Sequence, residues 1–263
     1  MESDKHAFFS TKPVIGMVHL LPLPGSPRFA GSLERVFDQA ARDLEALERG
    51  GADAAIVENF GDVPYTTRPE LVTLLSMCSI AARLRERAGL PLGINVQFNS
   101  AEAEWDMALA CGFEFIRVEA FVENRVGAFG TTMAVAPDLA RLRARCPAPV
   151  MTFADISVKH SFPLVEQPIE ASVDAAVEAG VDALVLTGAK TGSSPSLADA
   201  KEFKAIAGDV PVVLGSGANE SNVGAFMELV DAVIVGSSIK VDGVVENPVD
   251  AERVARFVEA ARG

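Results

Sequence analysis

Short, β-rich apolar runs recur along the chain, and their lead-ins alternate between two kinds. Four begin with proline: Pro13-Val14-Ile15-Gly16-Met17, Pro91-Leu92-Gly93-Ile94-Asn95, Pro149-Val150-Met151-Thr152-Phe153 and Pro211-Val212-Val213-Leu214-Gly215. Proline suits the first position of a strand, where it has no ladder hydrogen bond to donate. Interleaved with these are four runs led by an acid: Asp53-Ala54-Ala55-Ile56-Val57, Glu114-Phe115-Ile116-Arg117-Val118, Asp182-Ala183-Leu184-Val185-Leu186 and Asp231-Ala232-Val233-Ile234-Val235. The first three of this second set follow a glycine suited to ending a helix. Amphipathic stretches fill the gaps and predict helices over 33–49, 69–88, 101–110, 137–145, 168–179, 197–207, 220–229 and 248–261.

The strict alternation makes the repeating unit a pair of strands with their helices, present four times. Eight strands starting near 14, 54, 91, 115, 150, 183, 211 and 232, each followed by a helix, predict a single (β/α)8 barrel. The length of 263 residues fits the roughly 250 typical of that fold. An open doubly wound sheet explains neither the fourfold alternation nor the closing helix. No linker divides the chain, so 1–263 reads as one domain with an N-terminal extension over 1–12.

Barrel chemistry collects at the carboxyl ends of the strands, which selects a short set of candidates. Just past the runs lie His19, Glu58 with Asn59, Asn95 with Gln97, Arg117 with Glu119, Asp155, Thr187, Gly215-Ser216-Gly217 and Gly236-Ser237-Ser238. Strand parity turns Ile94, Val96, Ile116 and Val118 toward the helices and leaves Asn95, Gln97, Phe115, Arg117 and Glu119 facing the barrel interior. Buried polar groups need each other, water or a ligand. The plainer alternative is a satisfied polar layer in which Arg117 meets Glu119 or Glu58.

Gly215-Ser216-Gly217 and Gly236-Ser237-Ser238 put small residues at the last two strand ends, where backbone N–H groups can hold a phosphate. Their alternative is glycine serving close packing alone. Glu58, Glu119 and Asp155 are placed either to split into an acid and a base through unequal burial or to converge on an oxygen-ligated Mg2+ or Mn2+. Asp155-Ile156-Ser157-Val158-Lys159-His160 adds an imidazole for proton transfer and an amine for an anion. A Schiff-base role for Lys159 is disfavoured, since nothing local lowers its pKa. His19 ends strand one before a proline-stiffened loop and reads as catalytic or as a packed, hydrogen-bonded residue. The segment Val122–Ala136 reads as a lid or as an ordered surface loop.

Composition narrows the partners. With 23 Lys and Arg against 36 Asp and Glu, the net charge of -13 offers nucleic acid no attractive field. Cys78, Cys111 and Cys146 form no Cys-x-x-Cys pair and no zinc-type cluster, which suits a reduced, cytoplasmic setting. Residues 1–12 hold too little apolar length for an export signal, and the longest apolar run, Leu71–Ala82, is shorter than the roughly 18 residues of a bilayer span. Any membrane contact is therefore peripheral, and homo-oligomerisation is left open.

The segment from Val14 to Pro27, with its Gly16-Met17-Val18-His19-Leu20-Leu21-Pro22-Leu23-Pro24-Gly25 core, strongly resembles the BtpA family. So do Glu58-Asn59-Phe60-Gly61-Asp62-Val63-Pro64, Gly93-Ile94-Asn95-Val96, Ala154-Asp155-Ile156 with Lys159-His160, Gly215-Ser216-Gly217, Gly236-Ser237-Ser238 and Asn247-Pro248-Val249-Asp250. The resemblance implies a phosphate-binding TIM barrel. The family takes its name from a factor in photosystem I biogenesis, with relatives in non-photosynthetic cells and in apparent sugar-metabolism settings. Its pattern has no fixed lysine at Lys190, which sets that residue aside as a catalytic choice.

Two functions follow as expectations. One is an enzyme acting on a phosphorylated small molecule such as a sugar phosphate, by isomerisation, epimerisation or aldol-type chemistry. The other is a non-catalytic assembly factor for a membrane complex, which requires a large exposed apolar patch.

Overall fold

The computed structural model describes residues 2–158, 161–187 and 195–263. Eight parallel strands close into a barrel: β1 (Val14–His19), β2 (Ala54–Glu58), β3 (Leu92–Asn95), β4 (Phe115–Val118), β7 (Met151–Ile156), β9 (Ala183–Leu186), β10 (Val212–Leu214) and β11 (Ala232–Val235). The remaining strands, β5 (Arg125–Gly127), β6 (Gly130–Thr132) and β8 (Ser161–Pro163), form a small antiparallel sheet in the order β6-β5-β8. Helices α2 (Leu33–Arg49), α3 (Leu71–Arg85), α4 (Ala101–Cys111), α5 (Ala136–Arg145), α6 (Ile169–Glu178), α7 (Leu197–Ala207), α8 (Val223–Met227) and α9 (Ala251–Arg262) alternate with the barrel strands. They run within a few residues of the expected spans, α8 being the shortest.

The alternating lead-ins have a single structural cause. Each acid that opens β2, β4, β9 or β11 accepts a backbone N–H from the barrel strand before it. Asp53 takes Val14 N at 2.9 Å, and Glu114, Asp182 and Asp231 take Leu92, Thr152 and Val212 N at 2.8 Å each. Each acid's own N–H donates back to the carbonyl of that same residue at 2.8 to 2.9 Å. The same four carboxylates pair with Arg262 (α9), Arg85 (α3), Arg143 (α5) and Lys204 (α7), so the ring of ion pairs repeats with the fourfold period of the sequence. This ring occupies the amino end of the barrel, away from the expected site.

The barrel interior follows strand parity. Phe115 and Phe153 stack at 4.7 Å among Ile15, Ile56, Val185 and Ile234, while Ile94, Ile116 and Val118 join the outer core beneath the helices. Gly93 leaves room for the Phe115 ring, which a Cβ there would approach to 2.1 Å. The first twelve residues are more than an extension. They include a helix, α1 (Glu2–Ser10), whose Phe8 and Phe9 pack against Phe153 with ring centroids 6.0 and 5.5 Å away. Cys78 and Cys111, distant in sequence, bring their sulfurs to 3.9 Å across α3 and α4 as free thiols. Among the described residues no helix is long and apolar enough to cross a membrane.

Candidate active site

A cavity of about 710 Å³ opens at the carboxyl ends of the barrel strands. Its lining collects His19, Glu58, Asn95, Gln97, Arg117, Glu119, Asp155 and Thr187 from β1, β2, β3, β4, β7 and β9 or the residues just past them. Gly215-Ser216-Gly217 and Gly236-Ser237-Ser238 join it from the ends of β10 and β11. Lys159 and His160, expected at the site, and Lys190, set aside above, lie outside the described residues.

Asn59 departs from the expectation. It is absent from the cavity lining and braces the floor instead: its amide donates to Asp62 Oδ2 at 3.0 Å, and its Oδ1 accepts Gln97 N at 2.7 Å. Asp62 in turn accepts Leu23 N at 2.7 Å, tying the β1 and β2 loops together.

Arg117 pairs with neither glutamate. Its Nε and Nη2 donate to the two oxygens of Asp155, each at 3.0 Å, across the β4–β7 boundary. Burial opposes the guanidinium charge, but Asp155 outweighs it and keeps Arg117 protonated. Glu119 is anchored differently: Oε1 accepts Asn95 Nδ2 at 3.0 Å and Oε2 accepts Asn99 N at 3.1 Å. Asn95 Nδ2 also reaches Glu104 Oε1, at 3.3 Å, on the fully buried face of α4.

These contacts commit two of the three carboxylates considered for a metal, Glu119 and Asp155, to partners within the protein. Among the described residues no three His, Cys, Asp or Glu side chains form a group able to hold a metal ion. The physical reason is that Asp155 presents both oxygens to Arg117, and Glu119 presents both of its own to amide donors.

Glu58, Glu119 and Asp155 are all buried, at 4%, 3% and 1% exposed. Desolvation, with Asp155 and Glu58 nearby, lifts Glu119 from 4.5 to about 8, so it carries a proton at neutral pH and can donate one. Desolvation and Glu119 push Glu104 well above the ordinary range. His19 moves the other way, to about 3, through desolvation and the charge of Lys240, while the nearby Val245 backbone opposes the shift. Its ring is therefore neutral, stacked on Phe60 at 4.3 Å, and its 3.9 Å approach to Glu58 is no ion pair at neutral pH.

Glu119 gives the protein a signed pH dependence. Between the ordinary value of 4.5 and about 8 the folded state holds a proton that the unfolded chain has released. Glu119's contribution to stability falls as pH rises through that window and levels off above it, while neutral His19 acts in the opposite sense below 6.5. Melting temperature recorded from pH 5 to 9 should show the decline, and Glu119→Gln should flatten it; an equal slope in both proteins would assign the effect elsewhere.

The glycine loops divide in role. At Gly215 a Cβ would lie 2.5 Å from Val185 and 2.8 Å from Thr187, so packing alone demands glycine there. Gly217 has φ of 85°, a conformation in which its backbone turns into the mouth at no steric cost. Ser216 Oγ donates to Thr187 O at 2.6 Å, joining the ends of β9 and β10. A cation missed in the sequence, Arg253 of α9, lines the same end of the cavity and donates to Ser238 O at 3.3 Å. Its helical spacing reads as a surface arginine; only barrel closure brings α9 beside the end of β11. The wall also includes Phe60, Tyr65, Phe98 and Phe129, none of which follows from strand-end counting.

The segment after β4 is ordered structure rather than a free lid. Its β5–β6 hairpin is stitched to β8, Arg125 bonds Ser161 Oγ at 2.7 Å and pairs with Glu123, and Asn99 Nδ2 reaches Thr132 Oγ1 at 3.0 Å.

A closed parallel barrel with its polar residues gathered at the carboxyl-end mouth is a TIM barrel. The chain belongs to the BtpA family, whose model matches residues 10–263. It is 38% identical over 255 residues to the photosystem I biogenesis protein BtpA of Synechocystis, covering 96% of this chain and 89% of that one. An uncharacterized Thermococcus kodakarensis protein is 39% identical over 257 residues, 97% of each chain. Among solved structures, (S)-3-O-geranylgeranylglyceryl phosphate synthase from Thermoplasma acidophilum, in complex with its substrate sn-glycerol-1-phosphate, shares the fold. Its TM-score is 0.61 at 15% identity, over 98% of this chain and 96% of that one.

Proposed function

We propose that this protein is an enzyme that binds a small phosphorylated metabolite and transforms it by acid–base chemistry of the isomerase, epimerase or aldol type. One observation carries the reading. Four buried side-chain atoms lack a hydrogen-bond partner among the described residues, and three of them, His19 Nδ1, Asn95 Oδ1 and Thr187 Oγ1, belong to residues lining this one cavity. Buried polar atoms are otherwise nearly always satisfied, so unmet bonding capacity concentrated in a single concave space is what a polar ligand completes. In this reading Glu119 donates a proton, Glu58 or neutral His19 accepts one, and the Arg117–Asp155 pair fixes the floor. The Gly217 turn, Ser237, Ser238 and Arg253 hold the phosphate.

The test is a thermal shift with inorganic phosphate and a set of sugar phosphates. Wild-type protein should be stabilised by about 2.7 kcal/mol at a hundredfold excess over Kd. Arg253→Met, which keeps the aliphatic stem, should weaken binding about tenfold or more while leaving the unliganded melting temperature nearly unchanged. Absence of any shift with phosphorylated compounds at millimolar concentration would refute the proposal.

The assembly-factor reading has its own support in exposed apolar side chains. Leu71, Val72 and Leu75 stand together on α3, and Phe162, Leu164 and Val165 lie at and beyond β8. It requires that surface and not the cavity, so it predicts no response to Arg253→Met.

A further inference from the structure

Resting on the phosphate reading above, we infer that the ligand also carries a planar, ring-bearing group, so that the substrate class is a phosphorylated sugar joined to an aromatic or heterocyclic ring. The rim of the cavity is chemically divided. The ends of β9, β10 and β11 supply Thr187, Gly217, Ser237 and Ser238, small residues that leave backbone and hydroxyl groups for an anion. The ends of β2 and β3, and the hairpin that follows β4, supply aromatic side chains instead.

Two of those side chains are preassembled as a wall. Phe129, at the turn of the β5–β6 hairpin, lies over Phe98 with ring centroids 3.7 Å apart and planes 15° apart. Both rings line the cavity, Phe98 being 5% exposed and Phe129 partly so. The hairpin is held by Arg125, Glu123 and the Asn99–Thr132 bond, so the wall is fixed before any ligand arrives. A second stack, Phe60 on the neutral His19 ring at 4.3 Å, stands at the ends of β1 and β2.

A sugar phosphate offers an aromatic face only the C–H groups between its hydroxyls. A flat ring gains from stacking and from the area it removes from water. In barrel order the aromatic half, β2 to β4, and the small-residue half, β9 to β11, are separate arcs of the rim; Glu58, Arg117 and Glu119 stand at the strand ends of the aromatic arc, and Asp155 on β7 lies between the two.

The experiment compares Kd, by calorimetry on the full chain, for ribose 5-phosphate, a panel of nucleoside 5′-monophosphates and the matching nucleosides. We expect at least one monophosphate to bind about tenfold or more tightly than ribose 5-phosphate. Phe129→Ala and Phe129→Leu should both erase that advantage while leaving ribose 5-phosphate binding within twofold, the leucine variant guarding against simple loss of packing. Equal affinity for ribose 5-phosphate and every monophosphate, or equal loss for both in the variants, overturns the ring inference and spares the phosphate reading. Nucleosides binding as tightly as their monophosphates would overturn the phosphate reading instead, and no binding by any compound overturns both.

Discussion

Asp155→Ala should cost the fold about 3–5 kcal/mol, because it deprives a buried Arg117 of its hydrogen-bonded carboxylate. Both of Arg117's contacts to Asp155 are 3.0 Å, and Asp155 is 1% exposed. Asp155→Asn keeps the shape but removes the charge, and it should also be costly. Loss of turnover in either variant is thus no proof that Asp155 touches substrate. The double replacement Arg117→Met with Asp155→Leu should recover most of the stability, since apolar residues of similar volume substitute well for buried ion pairs. Urea denaturation of the three proteins measures this. A single-variant cost below about 1 kcal/mol would show that the pair does not hold the cavity floor.

Asp43→Ala should be destabilising on the same scale, about 3–5 kcal/mol, by a different route to the site. Asp43, on α2, accepts Lys240 Nζ at 3.1 Å, Val249 N at 2.8 Å and Gln39 Nε2 at 2.9 Å. Lys240 and Asp43 are 1% and 2% exposed at their side chains, and burial pulls the lysine pKa down while Asp43 holds it up. Lys240 lies two residues past Ser238, so the carboxylate anchors the loop after β11 to the outer helix layer. Its loss should lower both the unfolding free energy and the affinity for phosphate, whereas Arg253→Met should lower affinity alone. Identical behaviour of the two variants would mean that the anion end of the cavity is not separable from the barrel's stability.

Much of the site was legible from strand-end position, sharpened by parity in the third and fourth strands. Asn95, Gln97, Arg117, Glu119, Asp155 and Thr187 line the cavity as the alternation of facing residues requires. What stayed hidden were the partners. Nothing in the run around Arg117 says that its carboxylate comes from β7 rather than from Glu58 or Glu119. Glu104 sits among Glu102 and Asp106 in a stretch that reads as a solvated helix face, yet it is fully buried against Asn95 and Val96. Asn59 follows Glu58 directly and read as a site residue, but its amide is consumed between two loops.

The sequence alone determined the barrel and its fourfold period. The acids recur because each accepts a backbone N–H near the start of the preceding strand, a need met between neighbouring strands and therefore written locally. Only the tertiary structure decided which groups are charged, which are paired and which carry unmet hydrogen bonds. Those properties depend on burial and on side chains brought together from opposite ends of the chain, as when α9 delivers Arg253 to the loop after β11 and a hairpin turn sets Phe129 on Phe98.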